Sequence, residues 1–210
     1  MSRKKILFLY AVDGERISIG ERTDHELIFV KTGVGKSLAA LHTMKALCEY
    51  KPDLAVNFGT VGSVEHSIGD IFVINKFVDR DLLKVNLPSI PCLIEANDRL
   101  SFVNSEHIVV NGKDGGEPIH VKQGTCCTGD SFVTDLAGIT EDVVDMEAFA
   151  EALACREMNV PFVSVKYVSD IIGSNSVKAW AEKLADARVA ISRFFENIDF
   201  AIVSNLCESE

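Results

Sequence analysis

The sequence lacks the features that mark several large classes of protein. No apolar run approaches the roughly 20 residues that a membrane-spanning helix needs. The six cysteines form no Cys-x-x-Cys pair, and neither they nor the five histidines show metal-ligand spacing, so a structural zinc site is not expected. Positive charge is scarce as well. Twenty-one basic residues against 31 acidic ones leave a net charge of −10, which disfavours nucleic acid as a partner.

What is present is the composition of a folded globular protein, with 47% hydrophobic and 25% charged residues. The length of 210 residues predicts a single domain over residues 1–210. The apolar run Ile6–Val12 stops at Asp13 without a small-residue cleavage site, which favours a buried first strand over a signal peptide. Together with cysteines that are expected to be reduced, this predicts a cytoplasmic protein. A small-molecule ligand remains open, because a local site need not share the global sign of charge.

Short apolar runs alternate with amphipathic patterns along the chain. The runs predict strands at Ile6–Val12, Glu26–Lys31, Leu54–Phe58, Ile71–Phe77, Val121–Cys127 and Phe162–Val168. The amphipathic patterns predict helices at Ser37–Tyr50, with Leu38 and Leu41 on its apolar stripe, at Ala148–Met158 and at Ser176–Ile198. This alternation predicts an α/β fold with a largely parallel sheet. Residues 79–118 are polar, and we expect loops and a short helix there.

Polar groups follow several of the predicted strands, where ligands bind in α/β sheets. They are Asp13-Gly14-Glu15, Gly59–Gly62, Thr128–Phe132 and Ser169-Asp170. An acid at the end of an apolar strand, such as Asp170, is partly desolvated, which raises its pKa and suits it to donate a proton. An aspartate that merely caps the next segment explains the same residue equally well.

Three motifs have both a functional and a structural interpretation. Thr32–Ser37 resembles a phosphate-binding P-loop but has Val30 in place of the first glycine, so a tight strand-to-helix turn is favoured. Gly59–Gly62 is compatible with close approach of a ligand or with a plain turn. Asp145 and Glu147 flank Met146 at the start of a predicted helix, where acids favour the positive helix end whether or not they bind a ligand.

Taken in order, these segments resemble the nucleoside phosphorylase/nucleosidase superfamily, and within it the 5′-methylthioadenosine/S-adenosylhomocysteine nucleosidases. The matching segments are Lys31–Lys36, Lys51–Thr60 with Gly62, Gly69–Ile71, Thr128–Phe132, Val144–Ala148 and Val160–Asp170. The resemblance implies a three-layer α/β/α fold around a twisted mixed sheet, and a homodimer. It also implies cleavage of the N-glycosidic bond of a small-molecule purine nucleoside without a metal or an organic cofactor.

The resemblance further implies three catalytic carboxylates. Asp170 matches the acid that protonates purine N7, and Ser169 matches the residue that orients it. Glu147, with its neighbour Met146, matches the position that binds the ribose hydroxyls. Glu15 matches the glutamate that positions the nucleophilic water.

Four more positions are implied to contact the substrate. Phe132 matches the aromatic residue that stacks on the base, and the backbone of Val133 reads the edge of the base. Thr60 matches a small hydroxyl residue beside the sugar. Lys166 stands where the nucleosidases of the family often carry an arginine near the water; lysine keeps the charge but not the planar fork.

The identity of the nucleophile depends on the cations near it. Asn57 stands where phosphorylases of the superfamily carry an arginine, and a neutral amide cannot replace a bidentate guanidinium. Glu15 would also repel phosphate, so hydrolysis is favoured. Arg16 is a cation that could serve instead, and it keeps phosphorolysis open as the alternative.

The chain departs from the family in two places. Only Arg16–His25 separates Glu15 from the next strand, where the family has a helix, and Asp13 is the alternative if Glu15 is displaced. Residues 79–118 are unlike the usual segment, so the 5′ substituent stays open among methylthio, homocysteinyl, hydroxyl and a futalosine-like group. A nucleoside-binding relative without catalysis and a flavodoxin-like regulator are the remaining alternatives.

Overall fold

The computed structural model of the protein describes residues 3–85, 89–96, 108–110, 118–134, 138–173 and 176–198. Its strands are β1 (Lys4–Tyr10), β2 (His25–Lys31), β3 (Leu54–Ser63), β4 (Ile71–Asp79), β5 (Leu93–Glu95), β6 (Ile108–Val110), β7 (Ile119–Thr128), β8 (Val143–Asp145) and β9 (Phe162–Ile171). Its helices are α1 (Lys36–Tyr50), α2 (Arg80–Val85), α3 (Ala148–Glu157) and α4 (Ser176–Asn197). Every strand and helix predicted from the sequence is confirmed, with ends that shift by a few residues.

The strands form one mixed sheet in which two parallel groups run in opposite directions. One group is β2, β1, β3 and β9, and the other is β4, β7 and β8. The groups meet in antiparallel pairs, β9 with β4 and β3 with β8. The strands β3, β9, β4, β7 and β8 therefore close into a ring. Most of the residue pairing is parallel, as expected from the sequence, and the short antiparallel pairs make the sheet mixed, as the family resemblance implies.

Helices cover both faces of this sheet, so a separate hydrophobic core lies on each face. Along β1, Ile6 and Phe8 belong to a core shared with α4, and Leu7 and Leu9 belong to a core shared with α1 and α3. A strand that is buried on both faces reads as a continuous apolar run, and for this reason the first strand is visible in the sequence. The layers are α, β and α, as the family resemblance implies.

The apolar stripe predicted for α1 is wrong. Leu38 and Leu41 are 45% and 62% exposed, while the buried residues of this helix are Ala39, Thr43, Ala46 and Leu47. Small side chains, together with Leu47, form the face of α1 that packs against α3, and Leu38 and Leu41 are left on the outer surface.

The segment 79–118 contains the expected short helix, α2, together with the short strands β5 and β6. Its remaining expected loops lie partly outside the described residues. Within the described ranges, no helix has both the length and the apolar character needed to cross a bilayer.

Phe195 tests how α4 packs onto the sheet. It is 2% exposed, and its ring centroid lies 5.1 Å from that of Phe8 and 6.3 Å from that of Phe58. We expect Phe195→Ala to lower the free energy of unfolding by about 3–5 kcal/mol, because it leaves a cavity in the core. Val189→Ala, on the same helix at a residue that is 70% exposed, should change it by less than about 0.5 kcal/mol. Urea unfolding measures both, and equal effects would contradict this packing.

Candidate active site

A pocket opens at the ends of β3, β8 and β9, and the three carboxylates singled out in the sequence line it. They are Glu15, Glu147 and Asp170. The same pocket is lined by Thr60, Phe132, Val133, Met146 and Ser169. Of the residues predicted to form the site, only Lys166 is outside its wall. Residues far apart in the sequence therefore converge on one cavity.

A β-bulge places Asp170. Val61 pairs with Val168 but Gly62 pairs with Asp170, so Ser169 is the additional residue on β9. Such a bulge changes the direction of the side chains that follow it. A Cβ atom on Gly62 would lie 3.1 Å from Asp170 Oδ2, which shows how closely the carboxylate approaches β3. Of the two interpretations of Gly59–Gly62, the plain turn is thus wrong, because this segment is the continuing strand β3.

The surroundings of Asp170 suit a proton donor. Its side chain is 2% exposed, and burial raises its pKa, with Ser169 acting in the opposite direction. The Ser169 hydroxyl donates to Asp170 Oδ1 at 2.8 Å. This bond holds one carboxylate oxygen, and the other faces the glycine and the pocket.

Glu15 reaches the site despite the short connection after β1. A single 3-10 turn, Asp13–Glu15, brings its side chain over β3, where it is 6% exposed. The backbone N–H and the hydroxyl of Thr60 both donate to Glu15 Oε1, at 2.8 and 2.7 Å. Asp13 pairs instead with Lys31 at the surface, so the alternative assignment of its role to Asp13 is wrong.

The two acids on either side of Met146, Asp145 and Glu147, have different roles in the structure. Asp145 Oδ2 accepts the N–H of Ala148 at 3.0 Å and so serves the start of α3. Glu147 turns to the pocket, where its Oε1 accepts the backbone N–H of Gly35 at 2.9 Å. The glycine turn that resembles a P-loop therefore binds a carboxylate of the protein itself. Burial, and then the charge of Asp145, raise the pKa of Glu147.

Lys166 lies behind the pocket wall and does not contact the cavity. Its Nζ is 2.9 Å from Asp145 Oδ2, and the two side chains are 2% and 1% exposed. Burial alone would raise the pKa of Asp145, but Lys166 and the hydroxyl of Thr128 hold it below its ordinary value. Burial alone would lower the pKa of Lys166, but Asp145 reverses this effect and raises it. Lys166 is therefore not among the residues of the pocket wall, and its expected contact with substrate stays a prediction.

Sequence reasoning missed Glu151, which lies one helical turn after Glu147. It is fully buried, and this burial raises its pKa to about 7, against the lowering effect of Lys166. The spacing of four residues between Glu147, just before α3, and Glu151 is the signal that could have revealed it. Other residues of the pocket wall were also not predicted as site residues, among them Val34, Ser131, Val177 and Trp180.

The pocket wall formed by the described residues contains no lysine, arginine or histidine. Asn57 is 2% exposed and accepts the hydroxyl of Ser164 at 2.6 Å, so its side chain is occupied inside the sheet. The Arg16 guanidinium lies 4.2 Å from the ring centroid of Phe29 and 5.5 Å from that of Tyr10. Arg16, the cation that kept phosphorolysis open as an alternative, is therefore stacked on aromatic rings and is not among the residues of the pocket wall.

Known proteins match this chain over most of its length. The family model described as Phosphorylase superfamily matches residues 10–198. A 5′-methylthioadenosine/S-adenosylhomocysteine nucleosidase of Bacillus subtilis (strain 168) is 33% identical over 187 residues, covering 81% of this chain and 79% of that protein.

Solved structures share the fold at lower identity. The nucleosidase of the same name from Colwellia psychrerythraea 34H, in complex with adenine, gives a TM-score of 0.77 at 24% identity and covers 93% of this chain and 94% of its own. A futalosine hydrolase mutant of Helicobacter pylori gives 0.78 at 19% identity, over 96% and 99% of the two chains.

The buried carboxyl group of Glu151 should make the stability of the fold depend on pH. Its folded pKa lies above its unfolded value, so the folded state binds the proton more tightly and loses stability as pH rises from about 4.5 to about 7. We expect Glu151→Gln to match the unaltered protein at pH 4.5 and to exceed its melting temperature at pH 8. Thermal unfolding at both values measures this difference. Glu157→Gln, at an exposed site on the same helix, is the control and should show no such pH-dependent gain.

Proposed function

Because this chain belongs to the phosphorylase superfamily and its pocket gathers three buried carboxylates, we propose that it hydrolyses the N-glycosidic bond of a purine nucleoside. The observation that carries the proposal is the convergence of Glu15, Glu147 and Asp170 on one cavity. The relative that is 33% identical is a nucleosidase, which supports the same reaction.

Asp170 supplies the proton for the leaving group. A purine anion leaves poorly, so proton transfer from the Asp170 carboxyl to N7 assists as the bond from C1′ to N9 breaks, and acid catalysis of this kind contributes roughly 10²–10⁴-fold. The electron pair of that bond goes to the purine, and the ribose develops an oxocarbenium-like charge. Phe132, which is 39% exposed at the pocket, offers a ring on which the base can stack.

The two glutamates act on the sugar side. Glu147 accepts the ribose hydroxyls, and its carboxylate stabilises the positive charge that forms on the ring in a site shielded from solvent. Glu15 takes a proton from the water that attacks C1′. Its Oε1 is already filled by Thr60, while Oε2 is buried with no hydrogen-bond partner among the described residues. The products are the free base and the free sugar.

Water is the nucleophile that this site favours over phosphate. A phosphate would meet Glu15 and Glu147 without a cation from the described wall of the pocket. The apolar side chains of Val34, Val177 and Trp180 favour an uncharged 5′ substituent over a charged one. We therefore propose 5′-methylthioadenosine as the first substrate to try, which agrees with the name of the Bacillus subtilis relative.

The exposed apolar residues near the pocket support a homodimer. Val34 in the pocket wall is 48% exposed, and Leu38 and Leu41 continue this surface along α1. A second copy of the chain would cover it, as apolar patches next to a site often require. The five cysteines within the described part of the chain are free, among them the buried neighbours Cys126 and Cys127, which fits a reducing, cytoplasmic location.

Sedimentation of Leu41→Glu tests this interface. The unaltered protein should sediment as a dimer and the variant as a monomer, because a buried unpaired carboxylate opposes association. Val189→Glu, at an exposed position on α4, is the control and should remain dimeric. A variant that still dimerises would show that the surface on α1 is not the interface.

Chromatography of the products tests the reaction itself. In phosphate-free buffer the protein should release free adenine from 5′-methylthioadenosine, and Asp170→Asn should lower the rate by roughly 10²–10⁴-fold, since it removes the proton donor. Asp13→Asn, at the exposed acid paired with Lys31, should leave the rate unchanged.

Other outcomes identify the alternatives. Turnover only after phosphate is added, with ribose 1-phosphate as a product, would show a phosphorylase. Calorimetric binding of a nucleoside that is recovered intact would show a binding protein without catalysis. A 5′-carboxylated nucleoside cleaved in preference to the methylthio compound would favour the futalosine-like substrate.

A further inference from the structure

A chain of hydrogen bonds connects α4 to Glu15 through β3. Trp180 Nε1 donates to Thr60 Oγ1 at 2.8 Å, and Thr60 Oγ1 donates to Glu15 Oε1 at 2.7 Å. The backbone N–H of Thr60 donates to the same carboxylate oxygen at 2.8 Å. Trp180 is the single tryptophan of the sequence and lines the pocket beside Thr60.

The direction of this chain is fixed by the chemistry of its first member. An indole N–H can only donate, so Thr60 Oγ1 must accept from Trp180. A hydroxyl has one hydrogen, and with the indole on its lone pair that hydrogen points to Glu15. Glu15 Oε1 then holds two donors, which leaves Oε2 as the oxygen able to take a proton.

Other titratable groups lie around Glu15. Glu147 and Glu151 are near enough that the charge of Glu15 contributes to raising their pKa values. Lys166 lies on β9 opposite Gly59, the residue against which the Glu15 carboxylate packs. The two bonds from Thr60 fix the orientation of the Glu15 carboxylate among these groups.

We propose that Trp180 is a positioning residue of the reaction, whose indole N–H orients the Thr60 hydroxyl so that Glu15 presents Oε2 to the attacking water. The proposal rests on the proposed function, since the orientation of Glu15 affects turnover only if Glu15 activates the water. Without the indole donor, the hydroxyl is free to rotate to another acceptor, and Glu15 keeps only the backbone bond.

The first experiment detects the hydrogen bond without any assay of activity. A protein with a single tryptophan gives a single indole signal in a ¹H–¹⁵N correlation spectrum. Thr60→Val removes the acceptor and should move this signal upfield and speed its exchange with solvent. Thr60→Ser keeps the hydroxyl and should preserve both properties. An indole signal that is the same in Thr60→Val as in the unaltered protein would overturn the proposal.

The second experiment measures the effect on turnover. Trp180→Phe keeps an aromatic wall for the substrate but removes the N–H. We expect kcat for release of the base to fall about tenfold, the effect of one hydrogen bond, with KM changed less than about twofold. In the Thr60→Val background, the same replacement of Trp180 should have no further effect, because the bond is already lost.

The outcomes separate the positioning role from packing. Equal losses from Trp180→Phe in the two backgrounds, or a loss that appears only in KM, would overturn the proposal, because they show that the ring acts by contact alone. Far-UV circular dichroism confirms that each variant is folded. Failure of the unaltered protein to cleave any purine nucleoside would overturn the proposed function, and with it the positioning role of Trp180, while the indole signal still reports the bond.

Discussion

One buried ammonium group holds together a site that would otherwise repel itself. Lys166 Nζ pairs with Asp145 at 2.9 Å, and the charges of Glu147 and Glu151 act on it as well. Removing one partner of a buried pair leaves an uncompensated charge, which is far more damaging than loss of a surface pair. A lysine is a compact point charge rather than a planar fork, so it serves several carboxylates by proximity.

The partner of that ammonium group also organises the backbone. Asp145 ends β8, accepts the hydroxyl of Thr128 from β7 at 2.6 Å and accepts the N–H of Ala148 at the start of α3. With Lys166 on β9, a single carboxylate connects three strands and a helix. Glu147 lies two residues after Asp145, so the direction of the Glu147 side chain depends on this junction. The Asp145 carboxylate therefore both balances the charge of Lys166 and connects the strands and helix that form the site.

Much of the fold was predictable because its strands are buried on both faces and appear as apolar runs. Ring closure was not, since β8 has only three residues and the bulge at Ser169 has no apolar signature. The helix α1 misled prediction because its small residues, rather than Leu38 and Leu41, pack inward. The carboxylates were recognisable from their places after strands, but their roles came from the family resemblance. Trp180 falls within the amphipathic helix predicted at Ser176–Ile198, but its role could not be predicted, because a sequence does not show where an N–H points.

The closed ring of strands has a consequence for motion. Each of its strands is paired with two others in the ring along part of its length, so the ring has no edge strand at which to open. The chemical groups mounted there are held rigidly, and the nucleoside must fit itself to them. Any accommodation on entry or release falls to the elements outside the ring, at Ser131–Val133 and at the first turns of α4. The catalytic groups would thus stay fixed on the ring of strands, while the segments at the entrance of the pocket adjust to the substrate.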